Sequence, residues 1–456
     1  MIRRRTHRHP KQGERGVTMI LVVLAMLSML GIIALAIDVV TLYSARSEAQ
    51  RAADSAALVA AKMLVDAGVT GDPTNAALQT VAQGIATTAA KDVGKQSVIA
   101  GRPVQAADVT VTFPNAGAPS FGVNPQVSVS VVNSNLPTFF SRIWSRATLT
   151  VRATALAEGF NPSNASTALG MAATPPVIAR CVKPFIIPNC DPQHSGGAGC
   201  GGTAATFFDP ANGSITNPGV APAGIIGEGF DLVSNCGAGP GSCVPGIPAV
   251  GPGPGGPTLQ YYPAVIPAAT NACPAACGAG TNFENDISCC NPTPLSCGTT
   301  VTPPAVNQLS IDTTIFPEGG GGPAQNGVEC LIHQRPGNGM DLLDSTPPLS
   351  YPLQIKVGNN HPLAGTVLSA NDLVTTSDSI VTVPVYQPVP PGNVAPGASV
   401  NIVGFLQIFI DQAFPGGGGP KAGEFHVTVV NVLGCGATAT APAVASTSAV
   451  PVRLIH

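Results

Sequence analysis

Val17 to Ile37 (VTMILVVLAMLSMLGIIALAI) forms an unbroken apolar run without a charged residue. Thr18 and Ser28 are its polar interruptions, and either hydroxyl can bond to a carbonyl one turn earlier. At about 1.5 Å rise per residue the run covers roughly the 30 Å of a bilayer's hydrocarbon core. Arg3, Arg4, Arg5, Arg8, Lys11 and Arg15 precede it against one acid, Glu14. Cationic flanks stay on the cytoplasmic side, so the pattern predicts an N-terminus inside and the bulk of the chain outside. Asp38 closes the run at the far interface. A buried core helix would not need that flank. A cleaved signal is the other alternative, because Ala34-Leu35-Ala36 has the small-residue form of a cleavage site. The apolar run is longer than the about 7–15 residues of a signal core, and helical sequence continues straight through it.

Past Asp38 the sequence lacks Gly and Pro as far as Leu64. Leu42, Ala45, Ala49, Ala52, Ala56, Val59 and Met63 recur at steps of three and four, which predicts one apolar stripe on a continuing helix. Arg46, Glu48, Arg51 and Asp54 fall mostly off that stripe, and Glu48 and Arg51 are spaced to pair weakly. The small Ala side chains allow another helix or a sheet to come close. Gly68 and Gly71-Asp72-Pro73 predict the stop.

Thr74 to Val93 reads as a second, Ala-rich helix, weakened at Gly84. Asp108–Phe113, Gln126–Val131 and Thr148–Ala155 alternate apolar and polar residues as half-buried strands do. Leu136 to Trp144 reads as more helical, with Pro137 suited to a first turn; Phe139, Phe140 and Trp144 are expected in a core. Three strands cannot hide their apolar faces alone. The simplest arrangement lays them antiparallel against the exported half of the long helix.

The stretch from Gly13 to Leu64 resembles the N-terminal domain of the TadE/TadG-like proteins of Flp (tight adherence) pilus assembly. The matching pieces are Glu14-Arg15-Gly16, Ile37-Asp38-Val39, Leu42-Tyr43, and Gln50-Arg51-Ala52-Ala53-Asp54-Ser55-Ala56-Ala57-Leu58. The resemblance implies an accessory role at the bacterial inner membrane in building or anchoring an adhesive pilus. The helix-then-sheet plan also resembles pilins. Pilins and pseudopilins are cut after a Gly and carry a Glu five residues into the mature chain; after Gly16 that position is Leu21. The resemblance therefore implies an uncut anchor in place of a polymerised subunit.

Composition changes the picture after Gly159. Gly (52) and Pro (45) supply about a fifth of the 456 residues, and turns dominate to about Pro348. All twelve cysteines lie at or beyond Cys181. An even number in an exported, turn-rich region predicts disulfides, with the pairing left open. Thr206–Phe208 and Gly224–Val233 are short strand candidates. From Tyr351, Leu353–Val357, Ile380–Tyr386, Val400–Asp411 and Glu424–Val432 predict a sheet whose edges are tied by Cys330 and Cys435. The expected fold class is α+β. A single transmembrane helix continues into a long exported helix packed on a small antiparallel sheet, and a Gly/Pro/Cys-rich, mainly β region follows. The expected domains are a cytoplasmic basic tail (1–16), the transmembrane helix (17–37), the Tad-like module (38–158), a loop-dominated Cys/Gly/Pro-rich region (159–348) and a β-rich C-terminal region (349–456).

Chemistry is sparse. Charged residues are 10% and net charge is −3, so no basic field argues for nucleic acid. Cys273, Cys277, Cys289, Cys290 and Cys297, with His194 between Cys190 and Cys200, raise a metal reading, but no Cys-x2-Cys knuckle is present. There is no His-Glu-x-x-His, no Gly-x-Ser-x-Gly and no phosphate-binding Gly-Lys-Ser/Thr loop. Some TadG-like proteins carry an Asp-x-Ser-x-Ser metal site; Asp344-Ser345-Thr346 does not complete it. His333, His361 and His426 read as isolated. Asp341 with Asp344, or Asp372 with Asp378, has spacing compatible with calcium, a spacing common in turns. No catalytic, cofactor or metal residue is therefore assigned. The expected function is a non-enzymatic, membrane-anchored structural protein of Flp pilus assembly or surface adherence, single-pass, with its bulk periplasmic or extracellular. Its expected partners are the inner membrane and other pilus-assembly subunits, the latter docking through Ala45, Ala49, Ala52 and Ala56. The alternative is a secreted or surface disulfide-stapled adhesive protein with a cleaved N-terminal signal.

Overall fold

The first helix runs from Glu14 to Asp66 without a break. It stops because Gly68 takes a left-handed turn (φ 85°), which returns the Gly68 and Val69 amides to the carbonyls of Val65 and Leu64. Three residues on, a Cβ at Gly71 would lie 2.5 Å from the Ile226 side chain. Glycine is the residue that permits that close approach. The second helix, Ala76–Lys95, follows.

The computed structural model describes residues 14–137, 148–161, 163, 177–195, 200, 204–234, 250–253, 256–267, 280–298, 305–312, 322–344, 353–374, 376–388, 397–414, 424–435, 444–446 and 450–455. The chain divides into two compact units. One comprises residues 1–56, 91–110 and 129–155; the other comprises 57–90, 111–128 and 156–456.

In the first unit the helix changes character along its length. Fifteen large apolar side chains between Val17 and Ile37 are 44–72% exposed. Further on, Ala45, Ala49, Ala52, Ala53 and Ala56 are at most 2% exposed. Glu48 accepts the Ala100 amide (2.7 Å), and the Gln50 side chain donates to the Thr154 carbonyl (3.3 Å). Asn133 is buried and donates to the Ile99 carbonyl (3.4 Å). The alanine stripe is thus an internal packing face. The expectation that Ala45, Ala49, Ala52 and Ala56 dock another subunit is corrected: this chain already covers them. Periodicity identified the buried face and had no means of identifying what buries it.

A four-stranded sheet has the order Val452–Ile455, Thr148–Gly159, Gln126–Pro137, Val109–Thr112. Its three sequence-predicted strands are present, and the fourth comes from the chain's end, with Val452 opposite Gly159 and Ile455 opposite Leu156. Leu136 and Pro137 end a strand where a helix was expected to begin. Phe139, Phe140 and Trp144 lie outside the described residues.

The second unit is built on a closed ring of six strands. In ring order they are Gly256–Val265, Phe185–Pro188, Ile380–Tyr386, Ser399–Ala413, Phe425–Gly434 and Gly229–Ser234, which pairs back onto Gly256–Val265. Two of these pairings are parallel, 185–188 with 380–386 and 229–234 with 256–265; the others are antiparallel. Closure removes the unpaired edges that an open sheet of such apolar strands would present. The strands read as near-continuous apolar runs because both of their faces are covered. Phe185 and Tyr261 enter one core cluster, with Phe230, Phe409 and Phe425; their neighbours Ile186 and Tyr262 enter a second, with Phe405, Tyr386 and Leu433. Gln308–Ile311 bridges two ring strands from outside the ring.

The end of the first helix is fastened to this barrel by buried amides. The Asn431 side chain donates to Gln407 (2.8 Å) and to the Val65 carbonyl (3.4 Å), and accepts the Thr70 hydroxyl (3.0 Å). Asn161, fully buried, donates to the carbonyls of Val432 (3.0 Å) and Thr70 (3.5 Å).

The eight described cysteines are all disulfide-bonded, among them Cys181–Cys290, Cys190–Cys200 and Cys297–Cys435. Cys435 therefore ties the end of a barrel strand to Cys297. Cys330, expected at a sheet edge, sits in the helix Pro323–Leu331. Of the remaining expected strands, Leu353–Val357 shortens to Ile355–Lys356, and Thr206–Phe208 reduces to a single bridge from Phe208 to Ile215.

Two outcomes follow from this packing. Ala49→Leu inserts three carbons into a filled face and should cost about 1–3 kcal/mol by urea unfolding. An unchanged midpoint would mean that the stripe is free for a partner. The Cys297–Cys435 bridge spans 138 residues. Replacing both by Ser should cost roughly 2–5 kcal/mol, seen as a lower urea midpoint under non-reducing conditions; equal midpoints would show that the bridge adds nothing.

Candidate functional site

Three places carry possible function. The first is the bare half of the long helix. In water its fifteen exposed side chains would leave on the order of 20 kcal/mol of apolar transfer free energy ungained. Among the described residues this is the one helix long and apolar enough to cross a membrane. Ser28 bonds back to the Ala25 carbonyl (2.8 Å), so this polar side chain is satisfied within the helix itself.

The second is a buried acid–histidine cluster in the second unit. Asp191 and His194 sit in the turn just beyond strand Phe185–Pro188, and Glu228 immediately precedes strand Gly229–Ser234. His194 Nδ1 lies 2.8 Å from Asp191 Oδ2 and 3.0 Å from Glu228 Oε1. Both acids are fully buried, while the imidazole is 26% exposed. Asp191 Oδ1 accepts the amides of Gln193 (3.0 Å) and His194 (3.1 Å). The Cys190–Cys200 bridge and a bond from the Ser195 hydroxyl to the Asp191 carbonyl pin the turn. Burial first, then the Asp191 charge and a hydrogen bond to Asp191, push the Glu228 carboxyl up to about 9. The sequence reading placed His194 among cysteines as potential thiolate ligands. The structure commits those cysteines to a disulfide and gives His194 carboxylates instead. Glu228 carries no sequence signal, being 34 residues away; Asp-x-x-His inside a short Cys-bounded turn was the one available clue.

The third is a cavity of about 470 Å³ whose lining includes Lys62, Lys183, His333, Asp378, Thr382 and Gln407. Lys183 donates to the Cys289 carbonyl (2.8 Å), and burial pushes its ammonium down to about 8 against the opposing charges of Asp378 and Asp286. A hydrogen bond (2.9 Å) to Asp378 raises His333 and holds the Asp378 carboxyl below its usual range. Lys62 pairs with Asp66 (2.8 Å). No nucleophile is activated by a neighbouring base among these described residues.

The histidines read as isolated each face an acid. His333 meets Asp378, His426 meets Asp231 (2.7 Å), and His361 lies 3.9 Å from Asp341. The suggested calcium pairs do not converge. Asp341 accepts the Gly358 amide and the Ser377 hydroxyl, and Asp344 pairs with Lys356. Asp372 caps the Ser369 amide while Asp378 holds His333.

Residues 16–63 match the family model Tad, described as putative Flp pilus-assembly TadE/G-like. The match covers the bare apolar half of the helix and its alanine-clad half, and agrees with the resemblance seen in the sequence. No curated protein matches the chain. No solved structure matches it either.

Lys183 gives the cavity a measurable signature. Below pH 8 both folded and unfolded chains are protonated there, and the folded chain carries the cost of a buried ammonium, on the order of 3 kcal/mol for a shift from 10.5 to about 8. Between about 8 and 10.5 the unfolded chain binds the extra proton, so folding stability rises with pH. Wild type should therefore gain stability relative to Lys183→Met as pH rises from 7 to 10 in urea titrations; a constant difference would reject a depressed ammonium.

Proposed function

We propose that this chain is a membrane-anchored, non-enzymatic accessory protein of Flp (Tad) pilus assembly. Its N-terminus is cytoplasmic, and its barrel and sheet lie on the far side of the inner membrane. The observation that carries the reading is the placement of residues 16–63. The matched stretch forms one helix that is bare and apolar at one end and wrapped in its own chain at the other. A lipid-inserted helix that continues into an exported body suits an anchor or assembly scaffold. The disulfides support an oxidising compartment for the body. With the alanine stripe occupied, partner contacts are assigned to surfaces other than that stripe.

The second reading, a secreted adhesive protein released by cleavage after Ala36, would cut within a continuous helix whose Ala34 and Asp38 are buried. That burial favours an intact anchor.

Arg at both Leu27 and Leu30 should cost about 5–7 kcal/mol of insertion free energy and move the protein from the membrane fraction to the soluble or degraded pool. From detergent-solubilised wild-type membranes, pilus-assembly components should co-purify. Full membrane retention of the double variant would reject the anchor; a clean preparation without any pilus-system component would reject the assembly role.

A further inference from the structure

We propose that Asp191, His194 and Glu228 form a binding site for a divalent transition-metal cation, with Zn²⁺ the best match. The site is independent of the pilus reading. Glu228 is the decisive residue. It is fully buried, and its carboxyl group faces only the cluster's own Asp191 and His194, with no hydrogen-bond donor from elsewhere among the described residues. A buried carboxylate left this way costs folding free energy unless a cation or proton meets it. Its Oε1 is aimed at the imidazole, 3.0 Å away, and one ligand atom from each of the three residues lies within 4.8 Å of the others.

The surroundings orient each donor. His194 Nε2 lies 3.2 Å from the Pro222 carbonyl. Nε2–H donating there leaves the Nδ1 lone pair facing both acids, the usual outer-sphere device for a metal-bound imidazole. The Asp191 Oδ1 atom is held by two amides, which leaves Oδ2 toward the site. Main-chain bonds from Glu228 to Ile225 and from Val429 to Glu228 fix the third arm. Tetrahedral zinc with N and O donors at about 2.0–2.2 Å needs donor separations of roughly 3.3–3.5 Å. The observed 2.8 and 3.0 Å require the side chains to open by about half an ångström. The donors are one imidazole and two carboxylates, too few oxygens for calcium's about 6–8 and unlike magnesium's hydrated octahedron. A water would complete the fourth position. Bound there, zinc would clamp the turn after strand Phe185–Pro188 to the start of strand Gly229–Ser234.

The test uses the full chain in detergent, with disulfides intact and metal stripped by chelator. Calorimetric titration with Zn²⁺ should give one micromolar or tighter site and a raised melting temperature. Asp191→Asn, His194→Ala and Glu228→Gln should each weaken zinc binding at least tenfold and abolish the thermal shift. His333→Ala, a histidine–acid pair elsewhere, should leave both unchanged. If a site variant fails to fold, Co²⁺ on wild type decides: the expected spectrum is the intense visible band of four-coordinate nitrogen and oxygen ligation, without thiolate charge transfer. No stoichiometric zinc uptake, or uptake retained by Glu228→Gln, or a weak octahedral cobalt spectrum, would overturn the proposal and leave a proton-sharing histidine–carboxylate cluster. None of these outcomes bears on membrane anchoring or pilus co-purification.

Discussion

An apolar side chain is stable only where something other than water surrounds it, and the first helix meets this requirement in two ways. From Ala45 to Leu64 its buried face is covered by its own chain, while from Val17 to Ile37 its large side chains have no protein cover. The helix is continuous through both stretches. In the proposed anchor, continuity matters because a break would uncouple the lipid-borne segment from the folded body. The end of the rod is secured by the hydrogen bonds of Asn431 and Asn161, two buried amides whose partners are main-chain and side-chain groups near Thr70. Such groups are costly if unpaired, so their mutual satisfaction fixes one docking geometry.

The barrel answers a different problem. Charged residues are scarce in this chain, at 10%, and its best strands are apolar on both faces. Strands of that kind, left with open edges, would pair with other chains. Ring closure satisfies the edges, and disulfides hold the long connections that Gly and Pro leave with little core of their own. Two groups of buried acids and bases lie off the ring strands, Asp191, His194 and Glu228 at one place and Lys183 with His333 and Asp378 at another, while His426 and Asp231 pair on the ring strands themselves.

What was legible in the sequence follows the strength of each local signal. Val17–Ile37, the helix stop at Gly68, and the strands Ile380–Tyr386, Ser399–Ala413 and Phe425–Gly434 are long, strongly patterned segments. Phe185–Pro188 and Gly256–Val265 were not legible because Pro188, Pro257 and Pro263 punctuate them, and proline argues against an interior strand. Val452–Ile455 is four residues long and pairs with a strand some 300 positions earlier in the chain, a pairing that no local pattern encodes. The acid–histidine cluster joins two segments distant in the chain, beside strands that flank Gly256–Val265, in the same non-local way. The alanine stripe was legible as a buried face and misread as a docking face, since a 3.6-residue period reports burial without naming the neighbour.

The residue types on the two halves of the helix support the division of labour by themselves. In the proposed anchor, lipid tails conform to any outline, so Leu, Ile, Val and Met suit the bare half and the largest apolar area gives the largest transfer term. A folded protein surface is rigid, and a helix can approach a sheet closely only when its facing side chains are small; Ala45, Ala49, Ala52, Ala53, Ala56 and Ala57 supply that. Had the whole helix been built to lie in a protein core, large and small side chains would alternate along it to interlock with neighbours. The switch from large to small occurs within two turns of Asp38. A change of surrounding medium at that point accounts for it, because propensity alone favours alanine equally on both sides.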